Sequence, residues 1–422
     1  VIPSNEGRGY VLRRLLRRAA RHGRLLGIRD ACLHRLCEPV IAANERAYPE
    51  LREKADYIKK LILIEEESFG RTIDQGLSLL ADLMDKAPGG ALSGEDAFRL
   101  YDTFGFPLDL TKDILAERGM TVDEDEFARL MAKQRERARS ARKSAGAEGW
   151  ASDDAAFSGL PATVFTGYEA LSDDTKLLAL WGESGKTGTA REGERVVAVL
   201  DRSPFYAESG GQAGDAGLLS SPDAVVRVTD TVKTGGGVYL HKGVVERGVL
   251  TAGETLTAEV DREKRFATMR NHTSAHLLQA ALRRVLGTHV EQAGQMVDDK
   301  RMRFDFTHFS AVTPGELGEV ERFVNERILE ASPVAIREMP IAQARALGAM
   351  ALFGEKYGDI VRVVSVEGTS AELCGGTHVD NTAKIGLFCV LSESSVAAGV
   401  RRIEAVTGAH VLEYLDGCRK SL

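Results

Sequence analysis

Two periodicities divide the chain. From the start to about residue 145, apolar positions recur at helical spacing. Tyr10-Val-Leu-Arg-Arg-Leu-Leu-Arg-Arg-Ala-Ala-Arg sets pairs of apolar residues against pairs of arginines, giving a helix with one apolar and one basic face. Ser4 or Asn5 offers a start cap for it, and Gly27 a stop. Leu51 to Leu83 predicts a long helix. Ser93 caps another with acidic residues in its first turn, and Asp123 to Lys143 predicts a charged one. Between these last two, Gly105 and Pro107 break the helical pattern. The small, polar run from Ser144 to Gly149 marks a domain boundary.

From about residue 160 the period falls to two. Val196-Val-Ala-Val-Leu, Ala224-Val-Val-Arg-Val-Thr, Val238-Tyr-Leu-His and Thr255-Leu-Thr-Ala-Glu-Val are strand-like runs between glycine turns, which suits a small barrel or sandwich. Beyond residue 262 the patterns mix. Helices are expected at 272–286 and 313–331. Strands are expected at 302–306, 334–338, 360–366, 387–392 and 401–406, an α+β layer. The expected architecture is therefore multidomain: an N-terminal all-α domain (1–148), a small β-barrel (149–258) and an α+β domain (259–422).

Composition narrows the class. At 422 residues the chain has room for two to four domains, and 43% hydrophobic with 28% charged residues argues against global disorder. No apolar run reaches membrane-spanning length, so no membrane partner is expected. No signal-peptide core follows the arginine-rich start. Five cysteines, an odd number, fit a reducing compartment, and hence the cytoplasm, better than a disulfide framework. The Val1 start and Lys-Ser-Leu end suggest an internal fragment. Charge is uneven. Residues 1–35 hold nine arginines and no lysine against Glu6 and Asp30, a balance of +7, so the remainder carries −14 of the net −7. An arginine cluster on an acidic protein points to a phosphate-binding surface. The alternative is a solvated helix face.

Candidate chemistry sits in two short strings. His272-Thr-Ser-Ala-His276 puts two imidazoles on one helical face, and Cys374-Gly-Gly-Thr-His378 adds a thiolate and a third imidazole around a glycine turn. Joined by the fold, His272, His276, Cys374 and His378 would suit Zn²⁺. Taken apart they are helix histidines and a buried thiol. The position after His272 is Thr273, so the glutamate base of a His-Glu-x-x-His peptidase is absent. Four protein donors close a tetrahedral zinc, so either one ligand is loose or the metal organises the pocket and holds substrate. Ser209-Gly-Gly-Gln-Ala-Gly reads as a hairpin with a bulge whose glycines allow close approach of backbone to a ligand. It is no phosphate-binding P-loop, since neither Lys-Ser/Thr nor a helix follows.

Five strings, in this order, resemble alanyl-tRNA synthetase: Val1-Ile-Pro-Ser-Asn-Glu-Gly-Arg-Gly-Tyr, Tyr101-Asp-Thr-Phe-Gly-Phe-Pro, Phe205-Tyr-Ala-Glu-Ser-Gly-Gly-Gln, His272-Thr-Ser-Ala-His276 and Cys374-Gly-Gly-Thr-His378. The resemblance covers essentially the whole chain. It implies a helical tRNA-recognition domain followed by an editing domain that hydrolyses tRNA(Ala) mischarged with serine or glycine. The aminoacylation domain would lie upstream of Val1, and a self-association region beyond Leu422. It implies His272, Cys374 and Gln292 as catalytic residues, zinc on the four ligands, and a pocket including Ser209, Gly210, Gly211, Gln212 and Thr369, with Ser370 beside it. Asn5 and Asp102 would read the G·U pair of the acceptor stem in its shallow minor groove. Arg13, Arg14, Arg17 and Arg18 would contact RNA; capping is the simpler role for Asn5 and Asp102. Two alternatives stand beside this reading: a free-standing editing hydrolase, and an RNA-binding module with a structural zinc and no catalysis.

Overall fold

The computed structural model describes residues 3, 7–87, 90–143, 154–157, 159–350, 358–397 and 399–421. Its contacts divide into two compact units, Val1–Gly149 with Ala397–Gly399, and Trp150–Val396 with Val400–Leu422. The expected boundary at 144–149 lies outside the described residues.

In the first unit, α1 (Gly7–Leu25) and the long α2 (Ala55–Lys86) precede β1 (Ala91–Leu92), α3 (Gly94–Phe104), α4 (Leu108–Ala116), β2 (Thr121–Val122) and α5 (Glu124–Lys143). Phe69, Ile73 and Leu80 of α2 meet Leu100, Phe106, Leu110 and Leu115 in one core. The caps follow from residue type. The Ser93 hydroxyl accepts from the Asp96 amide, and Gly105 ends α3 at φ 65°, a left-handed conformation cheap only for glycine. The expectation of an all-α domain needs correction here. β1 and β2 pair in parallel over two residues, Ala91 with Thr121 and Leu92 with Val122, tying together the chain segments that enter α3 and α5. Strands this short carry no readable alternation.

The second unit opens with a barrel. Its strands are β3 (Ser172–Gly182), β4 (Arg195–Leu200), β5 (Gly217–Ser220), β6 (Ala224–Lys233), β7 (Tyr239–Thr251) and β8 (Thr255–Val260). They close as a six-membered ring in the order β6-β5-β8-β3-β4-β7 and back to β6, every pairing antiparallel. Alternate residues fill the interior, as along β8, where Leu256, Ala258 and Val260 are buried. β4 is buried almost throughout because its outer residues, Val197 and Val199, join a second small core with Phe157, Val238 and Leu240.

Asp261 caps the helix that leaves the barrel, α6 (Arg262–Leu286), by accepting from the Lys264 amide. Arg265 in its first turn is 1% exposed. It donates to Asp215 (2.9 Å) and to the Gly167 and Pro204 carbonyls (2.8 Å each), which locks the helix to the barrel. There follow β9 (Gln292–Val297), β10 (Met302–Thr307), α7 (Pro314–Leu329), β11 (Val334–Pro340), β12 (Ile360–Val366), β13 (Ser370–Leu373), β14 (Phe388–Ala397), β15 (Val400–Thr407) and α8 (Ala409–Ser421). One sheet runs β9-β10-β15-β14 and a second β11-β12-β13. Leu277, Leu278 and Leu282 of α6 bury against Phe304 and Phe306 of β10 and against Val320 and Val324 of α7. Among the described residues no helix is long and apolar enough to cross a membrane.

Candidate metal centre

α6 carries His272 and His276 one turn apart on its buried face, and β13 delivers Cys374 just past its end, where Cys374 N–H bonds to the Arg362 carbonyl of β12 (3.0 Å). The chain then turns through Gly375 and Gly376 and returns His378. One donor atom from each of His272, His276, Cys374 and His378 lies within 4.8 Å of all the others. Cys374 Sγ is 3.2 Å from His378 Nε2 and 3.5 Å from His272 Nε2. The glycine turn is obligatory. A Cβ on Gly376 would stand 2.1 Å from His272 Cε1 and 2.7 Å from Gln212 Oε1.

The surroundings aim the rings. His272 Nδ1 donates to Gln212 Oε1 (2.8 Å), and Gln212, fully buried, is itself held by the Thr377 amide and hydroxyl (2.9 Å each). His378 Nδ1 meets the Thr273 hydroxyl (3.1 Å). With both Nδ1 atoms engaged, Nε2 is left to point at the Cys374 sulfur. Burial holds all three imidazoles below their ordinary range, His276 at about 4 and His272 and His378 well down, so they are neutral and able to ligate. Burial also pushes the Glu372 carboxyl up to about 8. Three neutral imidazoles and one thiol, pre-aimed by outer hydrogen bonds, fit a borderline-soft divalent ion such as zinc.

Beside the centre opens a cavity of about 310 Å³, lined by Tyr206, Ser209, Gly210, His272, Gln295 and Cys374 among others. Arg362 supports its rim. The guanidinium donates to the Cys374 and Gly376 carbonyls (2.8 and 2.7 Å) and stacks 4.2 Å from the Tyr168 ring, whose hydroxyl donates to the Gly375 carbonyl (2.5 Å). The barrel's glycine turn forms the opposite wall. Gln295 donates to the Gly210 carbonyl (2.7 Å) and lies 3.3 Å from His272 Nε2, while Gly211, at φ 83°, packs against the Gln295 backbone with no room for a Cβ.

Most of the residues singled out from sequence therefore meet: the four donors, Ser209, Gly210, Gly211 and Gln212. Gln292 opens β9 opposite Phe306 and is not among the cavity's lining residues; Gln295, three residues on and beyond a bulge, is. Nothing in the local sequence distinguishes the two glutamines before the bulge is known. Thr369 sits in the β12–β13 turn, with the four residues of β13 between it and Cys374, and Ser370 begins that strand. Asn5 lies outside the described residues. Asp102 is exposed on α3 and accepts from Gln134 (2.8 Å).

The arginines of α1 have partners that the sequence did not disclose. Arg13 and Arg17 both pair with Glu65 of α2 (3.0 and 2.9 Å), Arg14 with Asp109 and Arg18 with Asp113 (3.2 Å each), and Arg21 with Glu117 (2.8 Å). Carboxylates every four residues along and just past α4 match the arginine spacing of α1, while Arg14 and Arg18 stay partly exposed (37% and 44%). Arg29, Arg35 and Arg71 differ. They line a concave cavity of about 530 Å³, and no ion pair joins them to any described residue.

A family model described as "tRNA synthetases class II (A)" matches residues 1–264, running through the helical unit and the barrel. The N-terminal region thus falls within a class II synthetase domain, which replaces the expected separate all-α domain. A second model, "Threonyl and Alanyl tRNA synthetase second additional domain", matches residues 361–404 and so contains Arg362, Cys374 and His378. Among curated relatives, the chain is 50% identical to "Alanine–tRNA ligase 1" of Lachnoclostridium phytofermentans, over all of this chain and 48% of that protein. It is 48% identical to the alanine–tRNA ligase of Caldicellulosiruptor saccharolyticus and 50% to that of Acetivibrio thermocellus, again over all of this chain and 48% of each relative. The chain belongs to the alanyl-tRNA synthetase family of class II tRNA synthetases. It spans about half the length of the curated relatives it matches.

Proposed function

We propose that this chain is part of an alanine–tRNA ligase and that the cavity beside His272 and Cys374 deacylates tRNA(Ala) mischarged with serine or glycine. The observation that carries this is a four-donor cluster facing a glycine turn across a cavity sized for a small aminoacyl ester. The need is physical. A synthetic pocket for alanine excludes larger side chains, but one missing methyl or one added hydroxyl changes binding by only about 1–3 kcal/mol, so a second, hydrolytic sieve is useful. Hydrolysis adds water to the ester carbonyl, breaks the bond to the ribose oxygen and returns a proton to that oxygen. A zinc ion on the four donors would supply positive charge to hold and polarise the aminoacyl group. The Gly210 backbone, open on one side, admits the terminal ribose. Gln295 orients the water through its carboxamide. Arg362 keeps the turn between Cys374 and His378 rigid.

The helical unit is, in the same proposal, the part that meets the acceptor stem. Asn5 and Asp102 read the G·U pair, Arg29, Arg35 and Arg71 meet phosphates, and the exposed edges of Arg14 and Arg18 assist. The domain limits 1–148, 149–258 and 259–422, cytoplasmic residence and self-association of the whole protein belong to this reading. A rival, structural zinc in an RNA-binding module, is favoured by the four-donor set, which closes a tetrahedron. Deacylation of Ser-tRNA(Ala) with metal analysis of the same sample separates them. C374A is expected to lose turnover at least 100-fold while tRNA binding stays within about twofold; turnover unchanged in C374A, or no turnover in the wild type, defeats the editing reading.

A further inference from the structure

Each imidazole of the cluster turns its Nδ1 outward, toward a side chain of this chain. For His272 that side chain is Gln212, at 2.8 Å, and for His378 it is Thr273, at 3.1 Å. For His276 it is Glu372, and here the contact is incomplete. His276 Nδ1 and Glu372 Oε1 are 3.8 Å apart, beyond hydrogen-bond length. Both atoms are shut off from solvent, and neither has a hydrogen-bond partner. Glu372 is 8% exposed, so its orphaned oxygen cannot be satisfied by water at the surface. Two facing, unpaired polar atoms in one buried site are costly, and structures seldom keep them without a use.

We propose that Glu372 is the positioning carboxylate of the metal centre, closing onto His276 Nδ1–H when His276 takes up a metal ion. The inference rests on the metal-site reading but not on the editing reading. Its physical basis is the outer hydrogen bond. An imidazole that ligates through one nitrogen carries its proton on the other, and an acceptor there fixes the tautomer and ring angle and strengthens the donor atom. Gln212 and Thr273 already do this for two rings. Glu372 is the residue placed to do it for the third, with an unpartnered carboxyl oxygen facing that nitrogen. Chain geometry favours the move. β13 carries Glu372 two residues before Cys374, so a metal drawing Cys374 inward also draws the strand end that bears Glu372.

The role predicts effects of opposite sign on affinity and on stability. Zn²⁺ affinity is measured by competition with a chelating dye, and urea stability is measured on the metal-free protein. E372L, of similar size but without an acceptor, is expected to weaken Zn²⁺ binding 10- to 100-fold. The metal-free protein should become no less stable, because an unsatisfied buried carboxyl has been removed. E372Q keeps an oxygen acceptor and is expected to stay within about fivefold of the wild type. Equal Zn²⁺ affinity in E372L and wild type overturns the proposal, as does a metal-free E372L destabilised as much as its affinity falls. Should E372L not fold, the zinc-loaded wild type still decides. Its imidazole ¹⁵N spectrum is expected to show His276 protonated at Nδ1 and protected from exchange, and an unprotected His276 Nδ1 overturns the proposal. A wild type that takes up no zinc defeats the metal site itself, which is a different result from any of these.

Discussion

Single residues do their work here through what surrounds them. His241 shows the principle away from the His272–Cys374 cluster. It is fully buried in the barrel, with Nδ1 on the Ala198 carbonyl (3.0 Å) and Nε2 on the Ser203 hydroxyl (2.7 Å). Burial holds its pKa at about 4 against an ordinary 6.5. The folded state therefore refuses a proton that the unfolded chain accepts, so the stability is present above pH 6.5 and is lost as pH falls from 6.5 toward 4. That loss amounts to ~2 kcal/mol between pH 6.5 and 5. Unfolding free energies from urea titrations at the two pH values should differ by about this much less in H241Q than in the wild type. An unchanged pH slope would show that His241 is not held neutral. The legibility of single residues was uneven. His272, His276, Cys374 and His378 could be chosen from spacing and chemistry. Gln295 could not, because a bulge re-aims β9, and neither could Glu372, whose only distinguishing mark is an absent partner.

At the scale of elements, α1 is the instructive case. Its period and its two faces were plain in the sequence, and the helix runs Gly7–Leu25. The destination of its arginines was not, because periodicity reports a face and not its neighbour. Glu65 pairs with both Arg13 and Arg17, and the side chains are only 11%, 10% and 14% exposed, so removing it takes the paired carboxylate from two buried guanidinium groups. E65A should cost about 3–5 kcal/mol of stability, as breaking a buried pair does. R18A, whose pair with Asp113 is 44% and 40% exposed, should cost about 0–1 kcal/mol. Thermal denaturation of both variants checks the contrast; similar losses would mean that burial does not set the worth of these pairs.

At the scale of the molecule, the chain holds separate cores. That of the first unit contains Phe69, Leu80 and Leu100, while those of the second lie in the barrel and against α6. The four side chains that could hold a metal ion sit wholly in the second unit. A ligand that binds only the native form stabilises the part that folds around it. Calorimetry should therefore resolve two transitions, and a chelator should lower the midpoint of one by several degrees and leave the other in place. A single transition that moves as a whole would show that the units unfold together.

The amino-acid order by itself determined where helical period gives way to strand period, which residues could ligate a metal, and the family strings. Each of these is a local property of composition and spacing, and the capping serine at 93, the glycine at 105 and the two metal strings needed no tertiary knowledge. Only the folded chain decided that six strands close into a ring. It alone brought two strings a hundred residues apart to one point, paired the arginines of α1 inside their own unit, and turned Gln295 rather than Gln292 into the cavity. Those outcomes depend on contacts between residues distant in the chain, which no local period encodes.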